Sequence, residues 1–195
     1  MKTLLILRHA KSSWDNDILS DFDRPLNSRG LETAPVMGNV IYKKRLQPSL
    51  IISSPAKRAK QTAILIKETA QIKSSIRYEE KIYEASPISL LHIIGEVEDK
   101  NEVVLLIGHN PGLEGFIKIL TGEIKTMPTA GLAKIELNVD SWNEITSDCG
   151  KLEFLIRPKD EMKNLDLSKD FEEHFKDLWP LTFDFWFLIF DFCLP

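Results

Sequence analysis

With 195 residues, 43% hydrophobic and 28% charged, the chain has room for one ordinary domain with a sizeable core plus a short appendage, which excludes a multidomain assembly and wholesale disorder. The 25 Lys and Arg against 29 Asp and Glu leave a net charge of −4, so no large basic field exists for a nucleic-acid backbone. Two cysteines, Cys149 and Cys193, and four scattered histidines offer neither a disulfide framework nor metal-ligand spacing.

In chain order, the opening run at residues 4–7 looks like the start of a secretion signal. Arg8 and His9 end it after four residues, where an apolar h-region needs about 7–15, so a buried strand and a cytoplasmic protein are expected. Residues 28–45 place Ala34, Met37, Val40 and Ile41 on one side of a helix that Gly30, Pro35 and Gly38 weaken. Residues 50–52 and 103–107 are again continuous apolar runs, the pattern of central parallel strands covered on both faces. Ser54-Pro55, Ser86-Pro87 and Asn110-Pro111 each set an N-cap residue before a proline at the first helical position. Alternation at 133–139 and 152–156 adds outer strands. Strand and helix in turn predict a three-layer α/β/α sandwich with a mostly parallel central sheet and right-handed crossovers over residues 1–158.

Residues 159–195 form an extension, first charged and then aromatic with Trp179, Phe183, Phe185, Trp186, Phe187, Phe190 and Phe192. Pro180, Asp184 and Asp191 interrupt it, so no transmembrane span is expected, since that takes about 20 mostly apolar residues. Docking on the domain is one reading of this tail, and contact with a membrane surface or a partner is the other.

Chemistry concentrates at strand exits. Arg8-His9 directly follows the run at 4–7, and Gly108-His109-Asn110-Pro111-Gly112 directly follows the run at 103–107. Ligands bind at the carboxyl edge of open α/β sheets, so two such strands can deliver two imidazoles to one crevice, although either alone would be read as structural. The segment from Ser53 to Thr62 starts a helix after another central strand, and its backbone N–H groups with Arg58 make an anion site, Lys57 and Lys60 being solvated charges. Arg8 at the end of a buried strand is costly unless an anion or carboxylate pairs with it. Two arginines and two histidines around one point describe a phosphoryl pocket, with Lys11, Ser12 and Asn110 as neighbouring substrate contacts. The spacing of Gly108 to Gly112 is also that of a serine nucleophile elbow, but histidine stands at the serine position, against acyl transfer. His92 and His174 are read as structural.

Four motifs in order carry a resemblance: Leu7-Arg8-His9-Ala10-Lys11-Ser12; Asp23-Arg24-Pro25-Leu26-Asn27 with Arg29-Gly30; Ser53-Ser54-Pro55-Ala56 with Arg58-Ala59 and Gln61-Thr62-Ala63; and Gly108-His109-Asn110-Pro111-Gly112. Together they resemble the histidine phosphatase superfamily, and more narrowly its short SixA-type phosphohistidine phosphatases, over about residues 2–158. The resemblance implies a phosphoglycerate mutase-like fold, with His9 as a transiently phosphorylated nucleophile and Arg8, Arg58 and a protonated His109 on the phosphoryl oxygens. It implies neither metal nor cofactor. Glu84 is the best-placed general acid, an exposed loop acid being the other reading, and a phosphohistidine substrate leans less on such an acid than an alkoxide leaving group does. Met127-Pro128-Thr129 resembles a family turn lining the pocket, and Ala10 stands where many relatives have glycine, which restricts backbone approach.

The expected activity is removal of a phosphoryl group from phosphohistidine on a signalling or phosphotransfer protein. Its alternatives are a phosphatase or mutase acting on a small phosphomonoester, for which no enclosing insertion is seen, and a non-catalytic phosphate-binding adaptor, against which both histidines count. A membrane-recruited scaffold would depend on the tail.

Overall fold

The computed structural model describes residues 1–15 and 17–164, so the aromatic stretch and its expected docking lie outside the described residues. Six strands form one sheet: β1 (Lys2–Arg8), β2 (Leu50–Ser53), β3 (Ile76–Tyr78), β4 (Val103–Gly108), β5 (Leu132–Leu137) and β6 (Gly150–Ile156). Their order is β3-β2-β4-β1-β5-β6. The pairs from β3 to β1 are parallel, β5 runs antiparallel to β1, and β6 runs antiparallel to β5. The helices are α1 (Ser28–Lys43), α2 (Lys57–Thr69), α3 (Pro87–Gly95), α4 (Gly112–Thr121) and α5 (Pro158–Asn164). No helix among the described residues is long and apolar enough to cross a membrane.

Because side chains alternate along a strand, the central runs feed two cores. Leu5, Leu7, Ile51, Leu105 and Ile107 pack with Ala34, Met37 and Ile41 of α1 and Ala59, Ala63 and Ile66 of α2. Leu4, Ile6, Ile52, Val104 and Leu106 pack with Leu90 and Ile94 of α3 and Phe116 and Leu120 of α4. This is the three-layer architecture expected, with β3 as an addition, since Ile76-Arg77-Tyr78 is too short to show a period.

Gly38, which lowers helix propensity in α1, meets a packing demand: a Cβ there would lie 2.7 Å from the Thr69 Cβ of α2. Of the three expected N-caps, Ser86 caps α3 by accepting from Ser89 N at 3.1 Å. The other two helices begin later than expected. α2 starts after Ala56 and α4 after Pro111, neither with a side-chain cap, because Ser54 and Asn110 are used in the cleft described next.

Candidate active site

β1 and β4 are neighbours with Arg8 opposite Gly108, so the residues that follow, His9 and His109, leave the sheet side by side. Their ring centroids are 4.9 Å apart. His9 N–H donates to Gly108 O, and the exit of β1 is clamped by Ala130, whose N–H is shared between Arg8 O and His9 O at 3.1 Å. Ala130 holds this position with φ +57°, a left-handed conformation uncommon for a residue with a Cβ. Gly112 lets the start of α4 approach the opposite wall, since a Cβ there would lie 2.3 Å from Ala85 O.

The His9 ring is buried and its tautomer follows from its partners. Nδ1 lies 2.7 Å from Ala10 O, which can only accept, so Nδ1 carries the proton and Nε2 presents a lone pair. Arg58 Nε donates to that Nε2 at 3.3 Å. The methyl group of Ala10 packs into the α1 and α2 core, while its N–H donates to Thr62 Oγ1. His109 Nε2 is 2.8 Å from Ser54 Oγ, and its Nδ1 is buried without a partner among the described residues. Arg8 donates from Nη1 to Met127 O at 2.9 Å, and its Nε is likewise buried and unpartnered. Polar hydrogens left this way suit an oxyanion.

Burial holds both imidazoles neutral. The His9 pKa is lowered to about 3, by desolvation first and then by the charges of His109, Arg58 and Arg8, against the hydrogen bond to Ala10. That of His109 is lowered to about 4, by desolvation and then Arg58 and Arg8, with Asp21 opposing. The expectation of a protonated His109 is therefore corrected for the pocket as it stands: two arginines and little water disfavour a third cation.

Arg8, His9, Lys11, Ser12, Arg58, Glu84, His109 and Asn110 all line one cleft of about 1070 Å³. Lys11 and Glu84 are exposed on its walls, Glu84 in a left-handed turn at φ +52°. Ser12 and Asn110 are committed to the protein: Ser12 Oγ accepts from Arg24 Nη2 at 2.7 Å, and Asn110 Nδ2 donates to Glu114 at 2.7 Å and to Met127 O at 3.0 Å.

Asp21 and Tyr83, among other residues of the cleft, escaped the reading of the sequence. Asp21 pairs with Arg58 Nη2 at 2.8 Å, accepts from Tyr83 Oη at 2.9 Å and lies 3.3 Å from Arg24 Nη1, while its backbone carbonyl takes Arg58 Nη1. Partial burial raises its pKa, but the hydrogen bonds from Tyr83 and Arg58 outweigh this and hold the carboxyl below its usual range. Arg24 also stacks on the exposed Trp14 ring, and the Tyr83 ring meets that of His109 edge-on at 5.7 Å. The cost of a buried guanidinium without a carboxylate, read from the sequence for Arg8 alone, holds for Arg58 too and could have pointed to such an acid. The segment holds Asp15, Asp17, Asp21 and Asp23, and spacing alone does not choose among them.

Residues 4–87 match the family model described as histidine phosphatase superfamily, branch 1. SixA from Agrobacterium tumefaciens, assigned as a phosphohistidine phosphatase, is 28% identical and superposes with a TM-score of 0.70 over 80% of this chain and 98% of its own. In sequence and in fold the chain is similar to the histidine phosphatase superfamily. The structure of the protein histidine phosphatase SixA with tungstate, 22% identical, shares the fold at a TM-score of 0.67 over 81% of this chain and 98% of its own. An uncharacterized chloroplastic protein of Arabidopsis thaliana is 29% identical over 172 residues, covering 80% of this chain and 78% of the relative.

The family match and the likeness to SixA support phosphatase activity, and the neutral histidines make the fold acid-sensitive. In the unfolded chain both rings titrate near 6.5, so as pH falls below that value the unfolded state takes up protons the folded state refuses. Stability is full above about pH 6.5 and falls on acidification by up to ~1.4 kcal/mol per pH unit for each histidine. The loss levels off near pH 4 for His109 and near pH 3 for His9. Denaturant titrations between pH 7 and 5 are expected to show a shallower slope in His9→Asn than in the parent. An unchanged slope would mean that His9 does not fold in its neutral form.

Proposed function

We propose that this histidine phosphatase removes the phosphoryl group from phosphohistidine on a protein, through a phosphohistidine intermediate on His9 and without a metal ion. The catalytic domain in this reading is residues 1–158, and the setting is cytoplasmic signal transduction. The observation that carries the proposal is the fixed tautomer of His9: Nδ1–H given to Ala10 O, Nε2 left as a lone pair beside Arg58.

In the first step Nε2 of His9 bonds to phosphorus as the bond from phosphorus to the substrate nitrogen breaks. With a proton on its other ring nitrogen, the substrate histidine leaves as neutral imidazole and needs little help from an acid. In the second step a water oxygen bonds to phosphorus, the bond to His9 breaks, phosphate leaves, and Glu84 on the cleft wall takes the water proton. Charge spread over the phosphoryl oxygens is met by Arg8, Arg58 and the N–H of His109, so this chemistry asks for no cation. The likeness to SixA of Agrobacterium tumefaciens supports a phosphohistidine substrate, and an open cleft admits a side chain carried on a protein.

Turnover of a phosphohistidine-bearing protein measured beside small phosphate esters, each with and without excess chelator, tests this. Faster turnover of the protein, unaffected by chelator and inhibited by tungstate, is expected. Preference for an ester would select the small-substrate reading, and oxyanion binding without turnover the adaptor. Activity lost to chelator and restored by Mg²⁺ would redirect the chemistry to metal-assisted hydrolysis.

A further inference from the structure

Arg8 and Arg58 share the cleft floor, yet they are held differently. Arg58 has its carboxylate in direct contact, Asp21 at 2.8 Å. Among the described residues Arg8 has no carboxylate partner at that range, and its one hydrogen bond from the guanidinium goes to a backbone carbonyl, Met127 O. A guanidinium drawn partly out of water beside a second one is costly, and a single neutral acceptor offsets little of that.

The Met127 peptide is itself gripped on both sides. Its N–H donates to Glu114 Oε1 at 2.8 Å, and its carbonyl, besides taking Arg8, accepts from Asn110 Nδ2 at 3.0 Å. Asn110 Nδ2 in turn donates to the same Glu114 Oε1 at 2.7 Å. The Met127 side chain is fully buried, so the peptide cannot drift with the surface loop around it. Glu114 also favours the charged form of Arg8 through space, opposing the desolvation and the Arg58 charge that disfavour it.

We propose that Glu114 is a positioning residue for Arg8: one carboxylate oxygen fixes the Met127 peptide and the Asn110 amide, and through that peptide sets the guanidinium against the phosphoryl oxygens. The inference rests on the reading of the cleft as a phosphoryl site. Glu114 also sits in the first turn of α4, where any acid favours the helix terminus, so the two roles must be separated. Aspartate keeps the terminal charge but is one methylene too short to reach the peptide. Glutamine keeps the reach and an acceptor oxygen but loses the charge.

Tungstate affinity is the direct readout, measured by titration on the full chain. Glu114→Asp and Glu114→Ala are expected to weaken it ~10–100-fold, the range for loss of a group that orients a binding residue. Glu114→Gln is expected to stay within about threefold of the parent or to bind more tightly, because a negative charge near the anion is gone while the geometry is kept. In an Arg8→Ala background, Glu114→Asp should add less than about twofold, because the group it positions is absent. The reverse order, Asp harmless and Gln costly, or full additivity with Arg8→Ala, would overturn the proposal and leave Glu114 as a helix-terminus acid. Absence of tungstate binding in the parent would overturn the phosphoryl reading itself. Should Glu114→Ala not fold, the Asp and Gln pair still decides.

Discussion

His9→Ala is expected to abolish turnover and covalent phosphoryl labelling together, by at least ~10⁴-fold in rate, since no other group replaces a covalent nucleophile. The structure motivates this through the lone pair of His9 Nε2, which the Nδ1 bond to Ala10 O turns towards the cleft. His109 sits 4.9 Å away between ring centroids, with Nδ1 unpartnered among the described residues, and in the proposed mechanism it acts on phosphoryl oxygens instead. His109→Ala should slow turnover by ~10²–10³-fold, the range for one lost oxyanion donor, while acid-labile label still forms on His9. Rapid-quench labelling with a radioactive phosphodonor checks both. Label that persists in His9→Ala and vanishes in His109→Ala would show the two roles exchanged.

Arg58→Ala should have the second-largest effect, because it removes two things at once. The Nε donor to His9 disappears, and the Asp21 carboxylate loses the guanidinium at 2.8 Å, keeping Arg24 and Tyr83 but facing an arriving anion with less of its charge offset. Losing the donor costs ~10²–10³-fold. Repulsion between the freed carboxylate and the phosphoryl group adds to this, on the order of 1 kcal/mol and more as the cleft dries. A fall in kcat/KM of ~10³–10⁴-fold is expected, with Asp21→Asn in the same background restoring about tenfold of it by removing the exposed charge. In the parent the same Asp21→Asn change should instead slow the reaction, because Arg58 loses its anchor. This change of sign across four proteins is the test. If Asp21→Asn lowers kcat/KM in both backgrounds, Asp21 acts on something other than Arg58.

Much of this was legible in the chain. The apolar runs that became β1, β2 and β4 lack the alternation of a half-exposed strand, so burial on both faces was readable from composition. Arg8, His9 and His109 could be picked out because polar residues at the end of such runs must lie on the sheet edge. Less readable was what each polar group binds. Ser54 and Asn110 look like helix caps by local sequence, yet each side chain is taken by a distant residue: Ser54 by His109, and Asn110 by Glu114 and Met127 O. A cap bond is worth about 1 kcal/mol and yields where a buried polar group would otherwise go unpaired.

Asp21 and Glu114 show the same division. In the sequence Asp21 is one of several acids in a loop and Glu114 a first-turn helix acid. Asp23 keeps a local partner, Ser20 at 2.5 Å, whereas Asp21 reaches Arg58, 37 residues away. The sequence by itself determined the layers, the strand exits and the residue types at the proposed phosphoryl site, because hydrophobic period and residue chemistry are local properties of the chain. Only the tertiary structure decided that β1 and β4 lie side by side in register, which tautomer His9 adopts, and which carboxylate serves which arginine. Those depend on distances between segments far apart in sequence, and the energy of a hydrogen bond or ion pair falls away within an ångström or two of its optimum.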